Sequence, residues 1–208
     1  MEFVYHGAPR EMVGDVLYPL DQLAAVHPGL YAVQKSKYDG REQVMAFQVP
    51  HLNRGFTDTV HCAPIHPYRL FSARWALGFD PPRQPEGTHF SGLFFEIPLE
   101  RILACCVVWY RWETLWINGA PGEDVPFAPP ADEFEPFDAL RYRRLSAVPS
   151  AHLDYLRRMK ARGERGLLFV HVPHVLVAGP IDASGLRPIA WDKLPTCPTR
   201  ETRALHAL

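Results

Sequence analysis

No stretch of this 208-residue sequence approaches the roughly 18 consecutive apolar residues of a membrane span. Net charge is nearly absent too. With 22 Lys and Arg against 23 Asp and Glu, nothing pulls the whole chain toward nucleic acid or an anionic membrane. Cysteine is scarce: Cys62, Cys105, Cys106 and Cys197 show no C-x-x-C spacing. The adjacent pair falls in a strand-like run, where neighbouring side chains point to opposite faces, so reduced and mostly buried thiols are expected. Also missing are G-x-G-x-x-G, G-K-[ST], G-x-S-x-G and H-E-x-x-H. Rossmann dehydrogenases, P-loop NTPases, α/β-hydrolases and standard zinc proteases therefore lose their usual support. The acidic Glu2 and the lack of a basic, then apolar, start argue against a secretory signal, and a cytoplasmic location is expected.

Proline, by contrast, is abundant. Its 21 residues are about twice the average share of roughly 5%, which predicts short elements joined by ordered, irregular loops. An aromatic content of 12% argues for a filled interior rather than disorder. Along the chain, Phe3-Val4-Tyr5-His6 reads as a first strand. Helices are expected from Pro9 to Leu17, Leu20 to Val26, Pro67 to Leu77 and Ala151 to Arg162, the last capped by Ser150. Leu30 to Tyr38 fits either helix or extended chain; as a helix it puts Tyr31, Lys35 and Tyr38 on one face. Strands are expected at Val44–Val49, Thr57–Cys62, Gly92–Ile97, Ile102–Tyr110, Leu115–Ile117, Gly166–Val172, Val175–Val177 and Pro188–Trp191. Interspersed strands and short helices without regular alternation predict an α+β fold, one domain over residues 1–191 with a mostly antiparallel, split sheet, followed by a polar tail.

Chemistry is signalled most clearly at Tyr5-His6-Gly7-Ala8. A histidine closing a first strand can bond a ribose hydroxyl, and the glycine after it lets a ligand approach the backbone. This segment resembles the "H-G-[ST]" strand of the poly-ADP-ribose polymerase branch of the ADP-ribosyltransferases. Gly29-Leu30-Tyr31-Ala32 with Lys35-Ser36-Lys37-Tyr38 resembles that branch's "G-I-Y-F-A … S-K-S … Y" segment. Residues Gly55 to Pro67 are remotely similar to a stretch of bacterial DNA ADP-ribosyltransferase toxins. The resemblance implies NAD as a substrate, with His6 and Gly7 at its ribose and Tyr31 and Tyr38 stacking on nicotinamide. Arg41 would contact phosphate or substrate. The sequence departs from the pattern at Ala8, at His66 where the toxins carry arginine, and in lacking a matching late glutamate. Glu96, inside an apolar strand, is the candidate carboxylate for an oxocarbenium-like state, because a charge there is costly unless used or paired; Glu42 is the reserve.

Other clusters carry less. His61-Cys62 with His66, His171 with His174, and Cys105-Cys106 contain metal-ligand types without repeated ligand spacing, so no metal is expected. Residues Ala120 to Asp138 hold five prolines and six acids with no base. A basic block follows: Arg141, Arg143 and Arg144, then Arg157, Arg158, Lys160, Arg162 and Arg165. Such a block can hold nucleotide phosphates or nucleic acid, or be neutralised by the acidic loop. Two function classes result: an ADP-ribosyltransferase-like enzyme with an unknown acceptor, or a non-catalytic binding protein.

Overall fold

The computed structural model describes residues 2–40, 42–80, 91–116, 126 and 128–193. The fold is α+β, and its sheets are antiparallel and split. Strands β1 (Phe3–Gly7), β2 (Val16–Leu17), β3 (Gln48–Val49), β4 (Arg54–Gly55) and β5 (Val60–Cys62) precede β6 (Leu93–Pro98), β7 (Cys106–Tyr110) and β8 (Phe134–Pro136). Strands β9 (His174–Ala178), β10 (Ile181–Asp182) and β11 (Pro188–Ala190) complete the set. Helices are α1 (Leu20–Val26), α2 (Pro28–Lys35), α3 (Glu42–Ala46), α4 (Pro67–Ala76) and α5 (Ser150–Ala161).

One half-sheet has the order β1-β6-β11 and the other β5-β9-β7-β8. Among the described residues they meet at a single bridge between Tyr5 and Ala63, whose backbones exchange hydrogen bonds of 2.8 and 2.7 Å. Two-stranded ribbons β2/β10 and β3/β4 flank them.

Strand β9 pairs with β5 and β7 along its two edges, and core packs on both its faces, so Val175-Leu176-Val177 is continuously apolar. Register assigns Val107 and Val177 to one face, and Val108 and Leu176 to the other. The first face packs with Val4, Cys62, Phe95 and Ile97; the second takes Tyr155, Leu156 and Met159 of α5. Those three, with buried His152, recur at helical spacing and form the stripe that fixes α5. Gly163, at φ 70°, stands just past its end in the conformation glycine adopts most cheaply.

Several expectations fail for local reasons. Residues 9–17 form no helix: Gly14, at φ 60°, reverses the chain and brings Val13 opposite Val16. Residues 44–49 are helix α3 and then only two strand residues. Glu42 accepts the Gly40 N–H at 3.1 Å and places an acid at the helix start, a signal that outweighs the short apolar run. Thr57 to Asp58 lie in a 3-10 turn, which delays β5 to Val60. Ile102 to Cys105 form turns, and β7 begins at Cys106. Of the strand expected at Leu115–Ile117, Leu115 and Trp116 are irregular and Ile117 lies outside the described residues. Residues 166–172 are buried or half-buried but irregular, because α5 takes over part of their hydrogen bonding. His152 Nδ1 donates to the Val170 carbonyl at 2.6 Å, and Tyr155 Oη accepts from the Leu167 N–H at 3.1 Å. Ser150 makes no cap; it is the first helical residue, behind Pro149. Of the cysteines, only Cys62 is buried; Cys105 is partly covered and Cys106 exposed, while Cys197 and the polar tail from 194 lie outside the described residues. Among the described residues, no helix is long and apolar enough to cross a membrane.

Candidate functional site

The split in the sheet makes the site. In an antiparallel ladder continuing from the Tyr5–Ala63 bridge, the next hydrogen-bonded pair would be Gly7 with His61. The half-sheets part there instead, and the His6 ring takes the vacated carbonyl: Nδ1 donates to His61 O at 2.7 Å. A carbonyl only accepts, so Nδ1 carries the proton and Nε2 is a bare acceptor in the neutral ring. The same logic fixes two neighbours. His61 Nε2 donates to Phe56 O at 2.8 Å, and His174 Nδ1 donates to Val172 O at 2.8 Å. The His61 and His174 rings lie 6.1 Å apart.

All three rings are neutral at pH 7. Burial pulls His6 down to about 4, against its bond to His61, with Lys37 adding to the depression. Burial, then His174, takes His61 to about 3. Burial takes His174 to about 4. His6 and His61 are thus neutral rings at the cleft under the influence of one cation, Lys37, with His174 behind His61 and outside the cleft lining.

The cleft, of about 140 Å³, is lined by His6, Glu11, Gln34, Lys37, Tyr38 and His61 with leucines and valines behind them. That volume is about half the small end of typical ligand pockets, near 300 Å³. It accommodates one ring-sized moiety, with the rest of a larger ligand outside.

The structure brings together only part of the sequence-derived set. His6 and Tyr38 line the cleft. A Cβ on Gly7 would touch Phe94 alone, at 3.9 Å, so packing does not demand glycine there. Tyr31, on α2, is not among the lining residues and lies under Lys35, 5.8 Å from ring centre to Nζ. Tyr38, in the 3-10 turn Ser36–Tyr38 that follows α2, reaches the cleft, whereas Tyr31 two turns earlier on the helix does not. Arg41 lies outside the described residues.

Glu96 is not with His6. Register pairs Glu96 with Tyr5 and Phe95 with His6, so Glu96 and His6 occupy opposite faces. On its own face Glu96 accepts from Tyr5 Oη at 2.9 Å, while Arg144 donates to the same phenol at 2.7 Å and sits 3.6 Å from Glu96. Burial, with Glu96 beside it, raises the Tyr5 phenol and keeps it protonated. The apolar-strand carboxylate is therefore paired, which answers its cost without a ligand. Glu42, the reserve, has its carboxylate on the Gly40 N–H.

Glu11, Gln34, Lys37 and His61 were not singled out for this cleft in the sequence. Lys37 and His61 fall inside segments that carry the resemblance; Glu11 had no signal, being in a stretch that reads as helix. Among the described residues, no three His, Cys, Asp or Glu side chains lie close enough to hold a metal ion.

The basic block divides. Arg141 pairs with Asp138 at 3.3 Å, Arg143 donates to the Leu140 and Tyr142 carbonyls, and Arg144 joins Tyr5 and Glu96. Arg157 pairs with Asp154. Lys160 and Arg165 lie at and beyond the C-terminal end of α5. The acidic segment neutralises only part of it, since buried Glu133 instead accepts the Glu113 and Thr114 N–H groups at 2.9 and 2.8 Å.

The fold and site define an α+β protein whose cleft lies where a split antiparallel sheet parts. Compared with protein-family models, with curated proteins and with solved structures, the chain matches none.

Proposed function

We propose that the His6 cleft binds the ribose and nicotinamide end of NAD, and that the chain is an ADP-ribosyltransferase-like enzyme. The observation that carries this is the placement of His6: its ring closes the parting of the two half-sheets through Nδ1 and leaves Nε2 as an acceptor for a hydroxyl. Tyr38 supplies an aromatic wall, and Lys37 a charge that favours the phosphates of a nucleotide. Departure of nicotinamide leaves positive charge on the ribose, which a nearby carboxylate stabilises. Glu11 takes that part, being the one acidic side chain among the described lining residues.

Glu96, on the far face and already paired, favours a second reading, a nucleotide-binding protein without transfer chemistry. Both readings require binding. A ligand at 100 times its Kd stabilises the fold by about 2.7 kcal/mol, about 5–10 °C in Tm at this chain length. A thermal-shift titration with NAD is expected to show that shift in the wild type and to lose it in His6→Asn. No shift at millimolar NAD refutes both. Nicotinamide release that disappears in Glu11→Gln, with binding intact, supports the enzyme; binding without release supports the second reading.

A further inference from the structure

The C-terminal ends of α4 and α5 meet around Phe79. Arg74 donates to the Gly166 carbonyl and Lys160 to the Gly78 carbonyl. Both cations also lie over the Phe79 ring, 4.7 and 5.4 Å from its centre. Arg165 adds a third charge close enough to act on Arg74, whose ionisation is pulled down by burial and then by Arg165. Among the described residues, none of Arg74, Lys160 and Arg165 has a carboxylate within 4.0 Å.

Beside this corner stands Trp75, the residue after Arg74, 54% exposed. Its edge-on neighbour Trp191, 5.7 Å away, packs in turn on Phe71. Trp75 is left half in water, so one face of its indole is open to a flat partner. Cations at the end of α5 complement its dipole, which accounts for Lys160. That does not account for Arg165, which lies beyond the helix, or for Trp75.

We propose that this corner binds single-stranded nucleic acid, with a base stacked on Trp75 and phosphates at Lys160 and Arg165. The pairing of an exposed indole with unpaired cations fits a chain that alternates flat bases and anionic groups. The surface shares no residue with the His6 cleft, so it stands or falls independently of NAD binding.

Fluorescence anisotropy with a labelled oligothymidylate, in 20 to 200 mM salt, tests it on the full chain. Two phosphate contacts give a slope of about −1.4 in log K against log salt. Trp75→Ala is expected to weaken binding about tenfold, and Arg165→Gln to flatten the slope by about 0.7. Arg165 is exposed, so Arg165→Gln should keep the wild-type Tm. Trp75→Ala loses its contact with Trp191 and about 1 kcal/mol, so Tm is measured alongside. Trp75→Leu, which keeps an apolar side chain without a flat ring, separates stacking from stability. Absence of binding at 20 mM salt overturns the proposal, as does binding that none of these substitutions changes. Vesicles containing phosphatidylserine form the parallel arm: sensitivity to Trp75→Ala there, without sensitivity for the oligonucleotide, overturns it in favour of a lipid surface.

Discussion

Lowering the pH should unfold this protein well before its carboxylates are exhausted. Five histidines are held far below their ordinary value: His61 at about 3, and His6, His66, His152 and His174 at about 4. Burial is the leading cause in every case. Neighbouring cations add to it, Lys37 at His6 and His61, Arg144 and Arg69 at His66, and Arg74 at His152. His171 is lowered as well. Above about pH 6.5 these groups are neutral in both folded and unfolded chains and cost nothing. Between pH 6.5 and about 4 the unfolded chain takes up protons that the native state refuses, so stability falls with pH across that window.

The slope is about 1.4 kcal/mol per pH unit for each group, so five groups set a ceiling of about 7 kcal/mol per pH unit. Half that ceiling, allowing for water entry and relaxation, still removes a typical domain stability of 5–15 kcal/mol within a few units. Cooperative unfolding with a midpoint near pH 5 is expected. Urea melts followed by tryptophan fluorescence at pH 7.5, 6.5 and 5.5 read the loss directly, and potentiometric titration counts the protons. If stability changes by less than about 1 kcal/mol between pH 7.5 and 5.5, with no proton uptake on unfolding, the histidines are not buried and neutral as argued.

Glu133→Ala removes the acceptor of two backbone N–H groups at a buried position. It should cost about 2–5 kcal/mol by chemical denaturation, reading 1–3 kcal/mol for each orphaned group with partial rescue by water. Gly166→Ala places a Cβ 2.7 Å from Leu156 Cδ2 and 3.2 Å from Phe79 Cζ. Overpacking there should cost about 1–3 kcal/mol, and Leu156→Val in the same chain should recover part of it.

Elements with punctuation at both ends were legible in the sequence. Pro67 and Gly78 bracket α4, and Pro188 opens β11, where a backbone N–H is least needed. Helix α1 also fell where expected, between Pro19 and His27. What failed was the reading of buried apolar runs as strands. Residues 166–172 are as apolar as β9, but His152 and Tyr155 on α5 supply part of their hydrogen bonding, and no local pattern encodes a partner a dozen or more residues away. The site divides in the same way. His6 stood out because strand end and glycine are local. Its distance from Glu96 was hidden in strand parity: one residue of register decides which face a side chain occupies. The gathering of His61 and Lys37 beside His6 depends on where two half-sheets part, which is a long-range property.

His6 has a structural duty and a proposed binding duty, and the two nitrogens of its ring separate them. Nδ1 completes the parting of the sheet by capping the His61 carbonyl; only Nε2 is left for a ligand. Asparagine places an amide N–H near the position of Nδ1 and has nothing at Nε2, whereas alanine removes both. His6→Asn should therefore keep most of the wild-type Tm in the absence of NAD, while His6→Ala loses roughly 1–3 kcal/mol by leaving a buried carbonyl without its donor. If the histidine is purely structural, NAD will shift neither wild type nor variants. If it binds ribose, the asparagine variant will be stable and blind to NAD, a combination that packing alone does not produce.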